Sequence, residues 1–250
     1  MRSMTLKFDT LPRHLAVIMD GNGRWAKAQG MPRSEGHKAG TASAKRLVTE
    51  CRKLGIRHVT LYTFSRENWA RPKKEISFLF DLLVRFMNRE MASLIEQGIR
   101  LNILGDLSEL PLVTRQAVKR AVSQSKDGTE MTLNLALNYS GRDEILRACR
   151  QLAAEGARPE DITEDAIAER LYTAGQPDPD LIIRTSGELR LSNFLLWQAA
   201  YAEFYFTPTH WPDFDEAHLH DALAAFAGRG RRFGCTDEQL SSAQTSGHNA

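Results

Sequence analysis

The chain is expected to fold as one α/β domain with a central, mostly parallel six-stranded sheet flanked by helices. Three observations predict this. Short apolar, β-branched runs alternate with helical stretches of ten or more residues, which is the pattern of a parallel sheet covered on both faces. No repeat and no linker divides the 250 residues, a length that allows one large domain. Hydrophobic residues make up 42% and charged residues 26%, enough to build a core without a disulfide or metal staple.

Taken in order, strands are expected at 15–19 (LAVIM), 58–64 (HVTLYTF), 99–104 (IRLNIL), 131–138 (MTLNLALN), 181–185 (LIIRT) and 203–207 (EFYFT). Between the first two, Ala44, Leu47, Val48, Cys51 and Leu54 follow helical spacing, and Gly55 closes the helix. Further helices are expected near 74–97, 109–125, 142–155, 163–171 and 215–228. The helix at 74–97 carries two stripes. Ile76, Leu79, Phe80, Leu83, Met87 and Leu94 suffice to bury it against a sheet. Phe78, Leu82 and Phe86 point elsewhere, toward a second packing contact, a dimer surface, or the greasy wall of a channel for an extended apolar ligand. Residues 1–13 read as an N-terminal arm, 14–235 as the domain, and 236–250 as a polar tail that frays.

Lys and Arg number 33 against 31 Asp and Glu, a net charge of +2, which removes the case for nucleic-acid binding by bulk electrostatics. Cys51, Cys149 and Cys235 are odd in number and far apart, so neither a disulfide framework nor a zinc knuckle is indicated. The N-terminus lacks the apolar core of a signal peptide, and Asp81, Arg85, Arg89 and Glu90 interrupt the greasiest segment. A soluble protein of the cytoplasm is expected.

Chemistry-bearing residues gather where strands end. The first strand runs into Asp20-Gly21-Asn22-Gly23-Arg24-Trp25, and ligands of open parallel sheets bind outside the carboxyl ends of strands. The glycines allow close backbone approach and an anion-binding nest, Asp20 suits magnesium, and Arg24 suits phosphate oxygens. A tight Asn-Gly turn with a solvated aspartate is the plainer alternative. Arg33 and His37 follow at the start of the next helix, whose dipole favours anions. The Walker A spacing and its lysine are absent, which counts against an NTPase.

The second strand leads into Ser65-Arg66-Glu67-Asn68-Trp69-Ala70-Arg71-Pro72, an ordered loop on the same sheet edge, in which Trp69 serves either packing or a ligand. Arg184 ends an apolar strand and needs an anionic partner, either a ligand or an internal acid such as Glu188. Arg190 and Ser192 follow at a spacing that lets a loop wrap one phosphate. Glu203, between aromatics at the start of the last strand, is either a surface residue or a metal ligand. Five guanidiniums and two carboxylates suit more than one phosphate group and one divalent cation. An enzyme acting on phosphorylated, partly apolar substrates is the expectation.

These motifs resemble the cis-prenyltransferases, the family of bacterial undecaprenyl diphosphate synthase. The resemblance rests on His14 to Ala26, Gly36-His37, Tyr62 to Pro72, Ile183 to Gln198, Tyr201-Ala202-Glu203 and Trp211 to Phe214, and it runs from about His14 to Gly234. It implies a homodimer with a hydrophobic tunnel between sheet and helices. It also implies Mg2+-dependent, repeated addition of isopentenyl diphosphate to an allylic prenyl diphosphate, each step forming a cis double bond. By resemblance, Asp20 handles magnesium and assists departure of the allylic diphosphate, which Gly21, Asn22, Gly23, Arg24, Arg33 and His37 hold. Trp25 sits beside the prenyl chain. Ser65, Arg66, Glu67, Asn68, Trp69 and Arg71 form the loop over the reacting ends, with Asn68 in a catalytic role. Arg184, Arg190, Leu191 and Ser192 grip isopentenyl diphosphate, and Glu203 completes the metal site, reaching toward the partner subunit.

No D-D-x-x-D run occurs, which separates the chain from the trans-prenyl synthases. The pattern favours undecaprenyl diphosphate made from farnesyl diphosphate for cell-wall lipid carriers, with peripheral membrane contact for delivery. Phe78, Leu82, Phe86 and Met131 are candidates for the tunnel floor. Shorter-chain synthases and a non-catalytic partner subunit are the alternatives within the family, and a phosphate-binding module or phosphotransferase is the alternative outside it. Residues 155–180 carry no legible feature.

Overall fold

A computed structural model describes residues 11–229; the tail at 236–250 and Cys235 lie outside them. Six strands form one sheet: β1 (His14–Ile18), β2 (His58–Ser65), β3 (Ile99–Leu104), β4 (Met131–Tyr139), β5 (Leu181–Arg184) and β6 (Glu203–Phe206). Their order is β3-β4-β2-β1-β5-β6, and every pairing is parallel. All carboxyl ends therefore share one rim. The chain leaves β1 toward β2 on one side, while β5 flanks β1 on the other. Such a reversal opens a crevice at the carboxyl ends of the two central strands.

Seven helices complete the described fold: α1 (Asn22–Ala28), α2 (Arg33–Leu54), α3 (Lys73–Glu96), α4 (Leu112–Gln124), α5 (Gly141–Ala154), α6 (Glu164–Ala168) and α7 (Glu216–Ala227). Alternation along each strand sends Leu15, Val17, Val59, Leu61, Leu133, Leu135 and Ile183 to the larger core, with the buried stripes of α2, α3 and α7. Ala16, Ile18, Ala136 and Ile182 face a smaller core closed by Tyr139, Phe194, Leu195 and Ala199. Full burial of one such leucine or phenylalanine is worth about 1.5–3 kcal/mol, so these two layers dominate the stability.

The first helix departs from the expected loop. Asn22-Gly23 opens α1 rather than forming an isolated turn, and α2 begins at Arg33, well before its apolar stripe at Ala44. Its first half is instead built of small residues that let the two helices touch. A Cβ on Gly36 would stand 1.9 Å from the Asn22 carbonyl oxygen. The other helices lie within a few residues of expectation, and Pro111 caps α4 at its start. Residues 155–180, silent in sequence, fasten the amino edge of the sheet: Asp180 accepts the Arg13 and His14 N–H groups, at 2.8 and 3.1 Å. No described helix is long and apolar enough to cross a membrane.

Candidate active site

Asp20 stands just past β1, with its side chain about one-third exposed. Gly21 turns the chain at φ 103°, and its N–H donates to Asp20 Oδ1 at 2.7 Å. A Cβ at Gly21 would meet the Ser186 Oγ at 2.6 Å, so only glycine fits this corner. Ser186 in turn hydrogen-bonds His210 Nδ1 at 2.6 Å, a pair the sequence did not signal. Thr185 Oγ1 accepts the Asp20 N–H at 2.9 Å and anchors the other side.

Arg184 leaves β5 beside the acid, and the two form the centre of the rim. Its Nη2 lies 3.0 Å from Asp20 Oδ2, and its Nη1 donates to the Arg190 carbonyl and, at 2.8 Å, to Ser192 Oγ. Asp20, not Glu188, is the internal partner of this buried arginine. Glu188 instead pairs with Arg24 at 3.1 Å and with Arg190 at 2.5 Å, while Arg24 also reaches Asp20 at 3.2 Å. Burial alone would raise the Asp20 pKa. The Arg184 hydrogen bond, the Arg24 charge and the Gly21 N–H outweigh it and hold the carboxyl below the usual range. The loop that follows β5 is tightly wound: Ser186, Ser192, Asn193 and Leu195 all take positive φ without being glycine. Strain of this kind concentrates at ligand clamps.

On the opposite lip, Glu75 collects two arginines and a histidine that the sequence left unconnected. Its Oε1 lies 3.3 Å from Arg33 Nη2, 3.2 Å from Arg71 Nη1 and 3.5 Å from His37 Nε2. An acid in the first turn of a helix looks like routine dipole compensation, which hid this role. Burial first, then the Arg71 charge, lower the His37 pKa against the opposing pull of Glu75. His37 Nε2, Asn22 Oδ1 and Arg184 Nε are buried without a hydrogen-bond partner. Three such atoms around one mouth suit a polar ligand that would satisfy them.

The loop after β2 forms a short 3-10 turn, Arg66–Ala70, in which Asn68 Oδ1 accepts the Ser65 N–H at 3.1 Å. Glu67 takes a hydrogen bond from Asn193 Nδ2 at 2.7 Å, tying this loop to the one after β5.

Beneath the rim lies a cavity of about 850 Å³ that runs between α2, α3 and the sheet. Asp20, Gly21, Asn22, Gly23, Arg24, Arg33, His37, Ser65, Glu67, Asn68, Arg71, Arg184 and Ser192 line its mouth, and Val48, Leu61, Leu83, Leu133 and Leu135 line its depth. Leu82 and Phe86, from the second stripe of α3, face it. Phe78 does not, and Met131 is packed in the core below.

Several expected site residues do not line the cavity. Trp69 packs against Phe64 and Phe80 and donates its indole N–H to Asn138 at 2.8 Å, so it braces the loop outside the cavity. Trp25 lies outside the lining and donates to Asp213 at 2.7 Å, while Arg66 pairs with Glu109 and Asp143. Arg190 and Leu191 flank the mouth without lining it. Glu203 lies on the far edge of the sheet from Asp20 of its own chain. It opens β6 in register with Leu181, whereas Arg184 pairs with Phe206, so three strand steps, about 10 Å, separate Glu203 from the rim. There it pairs with Arg229 at 2.9 Å.

Among the described residues, no cluster of three or more acids, histidines or cysteines is arranged to hold a metal unaided. Asp20 offers a hard carboxylate at a mouth rich in phosphate-binding groups. That donor set fits a magnesium ion completed by water and substrate phosphates, the usual mode for this cation.

A family model described as "Putative undecaprenyl diphosphate synthase" matches residues 18–234. The chain belongs to the cis-prenyltransferase family. This prenyltransferase is 49% identical over 233 residues to an isoprenyl transferase of Clostridium tetani, covering 92% of this chain and 91% of the relative. It is 48% identical to a ditrans,polycis-undecaprenyl-diphosphate synthase ((2E,6E)-farnesyl-diphosphate specific) of Aliivibrio fischeri, covering 94% and 93% of the two chains. Among solved structures, lavandulyl diphosphate synthase from Lavandula x intermedia in complex with dimethylallyl diphosphate superposes with a TM-score of 0.88 at 40% identity, covering 90% of this chain and 99% of the other. The fold and enzyme class expected from the sequence agree with these relatives.

Proposed function

We propose that this cis-prenyltransferase adds isopentenyl diphosphate repeatedly to an allylic primer, farnesyl diphosphate, and makes undecaprenyl diphosphate for the cell-wall lipid carrier. One observation carries this reading: arginines and Asp20 crowd the mouth of a deep cavity whose depth is lined mainly by apolar side chains. A diphosphate held at the mouth leaves a prenyl chain nowhere to go but inward. The aqueous phase of the cytoplasm is where both substrates meet it.

In this reading the allylic diphosphate binds at the α1 N-terminus, where Gly21 shapes the turn, Asn22 and Gly23 offer backbone N–H groups, and Arg24, Arg33 and His37 supply side chains. Isopentenyl diphosphate takes Arg184, Arg190 and Ser192. Two substrates aligned across the β1–β5 crevice replace a bimolecular encounter by an intramolecular one. Departure of the allylic diphosphate builds negative charge on its oxygens, and each well-placed donor there is worth about 3–4 kcal/mol. Asp20 would hold Mg2+, which when bound would neutralise part of that charge. Asn68 is a positioning residue. Its amide oxygen already accepts the Ser65 N–H, and a neutral amide is a feeble base, so a diphosphate oxygen takes the proton.

A homodimer is part of the proposal. Leu146, Leu189, Tyr201 and Phe206 are exposed apolar groups on the elements that cover the smaller core. In such a dimer Glu203 would serve the partner's metal site rather than its own.

The test is incorporation of radiolabelled isopentenyl diphosphate into lipid with farnesyl diphosphate and Mg2+. Chain-extended product supports the reading. Silence from folded protein overturns it, and products of shorter length overturn the undecaprenyl assignment alone.

A further inference from the structure

Far from the rim, an ion pair interrupts the wall of the cavity. Lys45 Nζ, on α2, lies 2.6 Å from Glu90 Oε2, on α3, and Arg89 Nε donates to Glu90 Oε1 at 2.7 Å. The partners are unequal: the Glu90 side chain is 6% exposed and that of Lys45 50%. At 1.5 Å per residue, the stretch of α3 from Glu75 at the rim to Glu90 spans about 22 Å, so the pair stands deep in the cavity.

On the outer surface a shallow depression lies between the same two helices, lined by Arg46, Arg89 and Glu96 together with Lys45, Glu90 and Ser93. Those last three residues also line the cavity. A single layer of side chains thus separates inside from outside at this seam. A buried carboxylate with its desolvation cost is a weak device for stability, and an apolar pair would close the seam against apolar neighbours at lower cost. The polar closure calls for another role.

We propose that the Lys45–Glu90 pair is a latch on a lateral opening between α2 and α3, and that it sets the length at which the product stops growing. The proposal rests on the reading that the cavity holds the growing chain. An apolar tail that reaches the latch must draw the buried Glu90 carboxylate away from its half-exposed Lys45 partner to advance, so further addition becomes unfavourable there. With the latch removed, the tail passes between the helices toward the surface, and growth continues.

Native enzyme, Lys45→Met and Glu90→Gln are each given farnesyl diphosphate, Mg2+ and excess radiolabelled isopentenyl diphosphate, and the lipids are resolved by chain length. Lys45 is half exposed, so its replacement leaves the fold intact, which thermal unfolding checks. Glu90→Gln keeps the shape of the buried side chain and provides a second variant. Both variants are expected to shift the product toward longer chains by at least one isoprenyl unit. The ratio of longer to native-length product should rise several-fold in Lys45→Met and less in Glu90→Gln. Unchanged or shorter chains from Lys45→Met, with isopentenyl incorporation retained, overturn the latch and leave the functional reading standing. Absence of any lipid product from native enzyme overturns that reading, and the latch with it.

Discussion

Replacing Asp20 by Asn separates the chemical role of the acid from its structural one. The substitution keeps the size of the side chain and one oxygen that can still accept the Gly21 N–H. It removes the one carboxylate that pairs with Arg184 among the described residues, where its other partners are a backbone carbonyl and the Ser192 hydroxyl. Breaking a fully buried pair from one side costs about 3–5 kcal/mol, but exposed pairs are worth little. With Arg184 buried and Asp20 about one-third exposed, about 1–3 kcal/mol of stability should be lost. For a chain of this length that is a fall of roughly 3–10 °C in Tm. Turnover should fall further, by about 10²-fold or more, because stabilisation of the leaving diphosphate is lost at its focus. Single-turnover incorporation of labelled isopentenyl diphosphate measures the rate, and thermal unfolding measures the stability. Inorganic pyrophosphate should still raise the Tm of the variant, since the arginines that grip it remain. A folded Asp20→Asn enzyme with turnover within tenfold of native would refute the assignment of Asp20 to the chemistry.

Two further outcomes follow from titrating groups. Burial lowers the His14 pKa from 6.5 to about 4, with His58 adding to the shift and the Pro177 carbonyl and Asp180 opposing it. The unfolded chain therefore binds this proton first on acidification. Stability from His14 is complete above pH 6.5 and is lost as pH falls toward 4, by up to about 3 kcal/mol. Urea unfolding of native and His14→Asn protein across that window should show the slope flatten in the variant, and parallel slopes would exclude His14 as its source. His37 is held neutral at pH 7, and Glu75→Gln removes the one acid that raises its pKa. Its imidazole NMR midpoint should lie below 6.5 in native enzyme and lower still in the variant; a midpoint above 6.5 in either would contradict the geometry.

The sheet was legible because its strands are short apolar runs separated by amphipathic helices. All six appear where that pattern places them, within about a residue or two at the ends. The first helices were not. Asn22-Gly23 has the composition of a turn, and the early half of α2 gains its packing from close backbone approach at Gly36, which leaves no apolar stripe to detect. Glu75 was hidden for a similar reason, since an acid at the start of a helix needs no ligand to justify it. Glu203 shows what strand polarity adds to a reading of position along the chain. Its place at the start of the last strand was correct, yet a parallel sheet puts every strand start on the edge away from the rim. Strand polarity alone, once the sheet is parallel, removes it from the Asp20 site of its own chain.

The rim does not present bare positive charge. Arg184 faces Asp20, Arg24 faces both Asp20 and Glu188, Arg190 faces Glu188, and Arg33 and Arg71 share Glu75. A ligand must therefore exchange with these acids rather than add to vacant cations. Exchange sets a threshold: separating a partly buried pair is costly unless the newcomer returns equal charge and equal hydrogen bonds. A carboxylate or a singly charged phosphate ester returns less than the rim gives up. A diphosphate carries more charge and more oxygens across the same distance and can engage several guanidiniums through charge-assisted bonds. The same acids that keep the ligand-free mouth from flying apart thus favour diphosphates over smaller anions, and the cavity beneath favours those with an apolar tail.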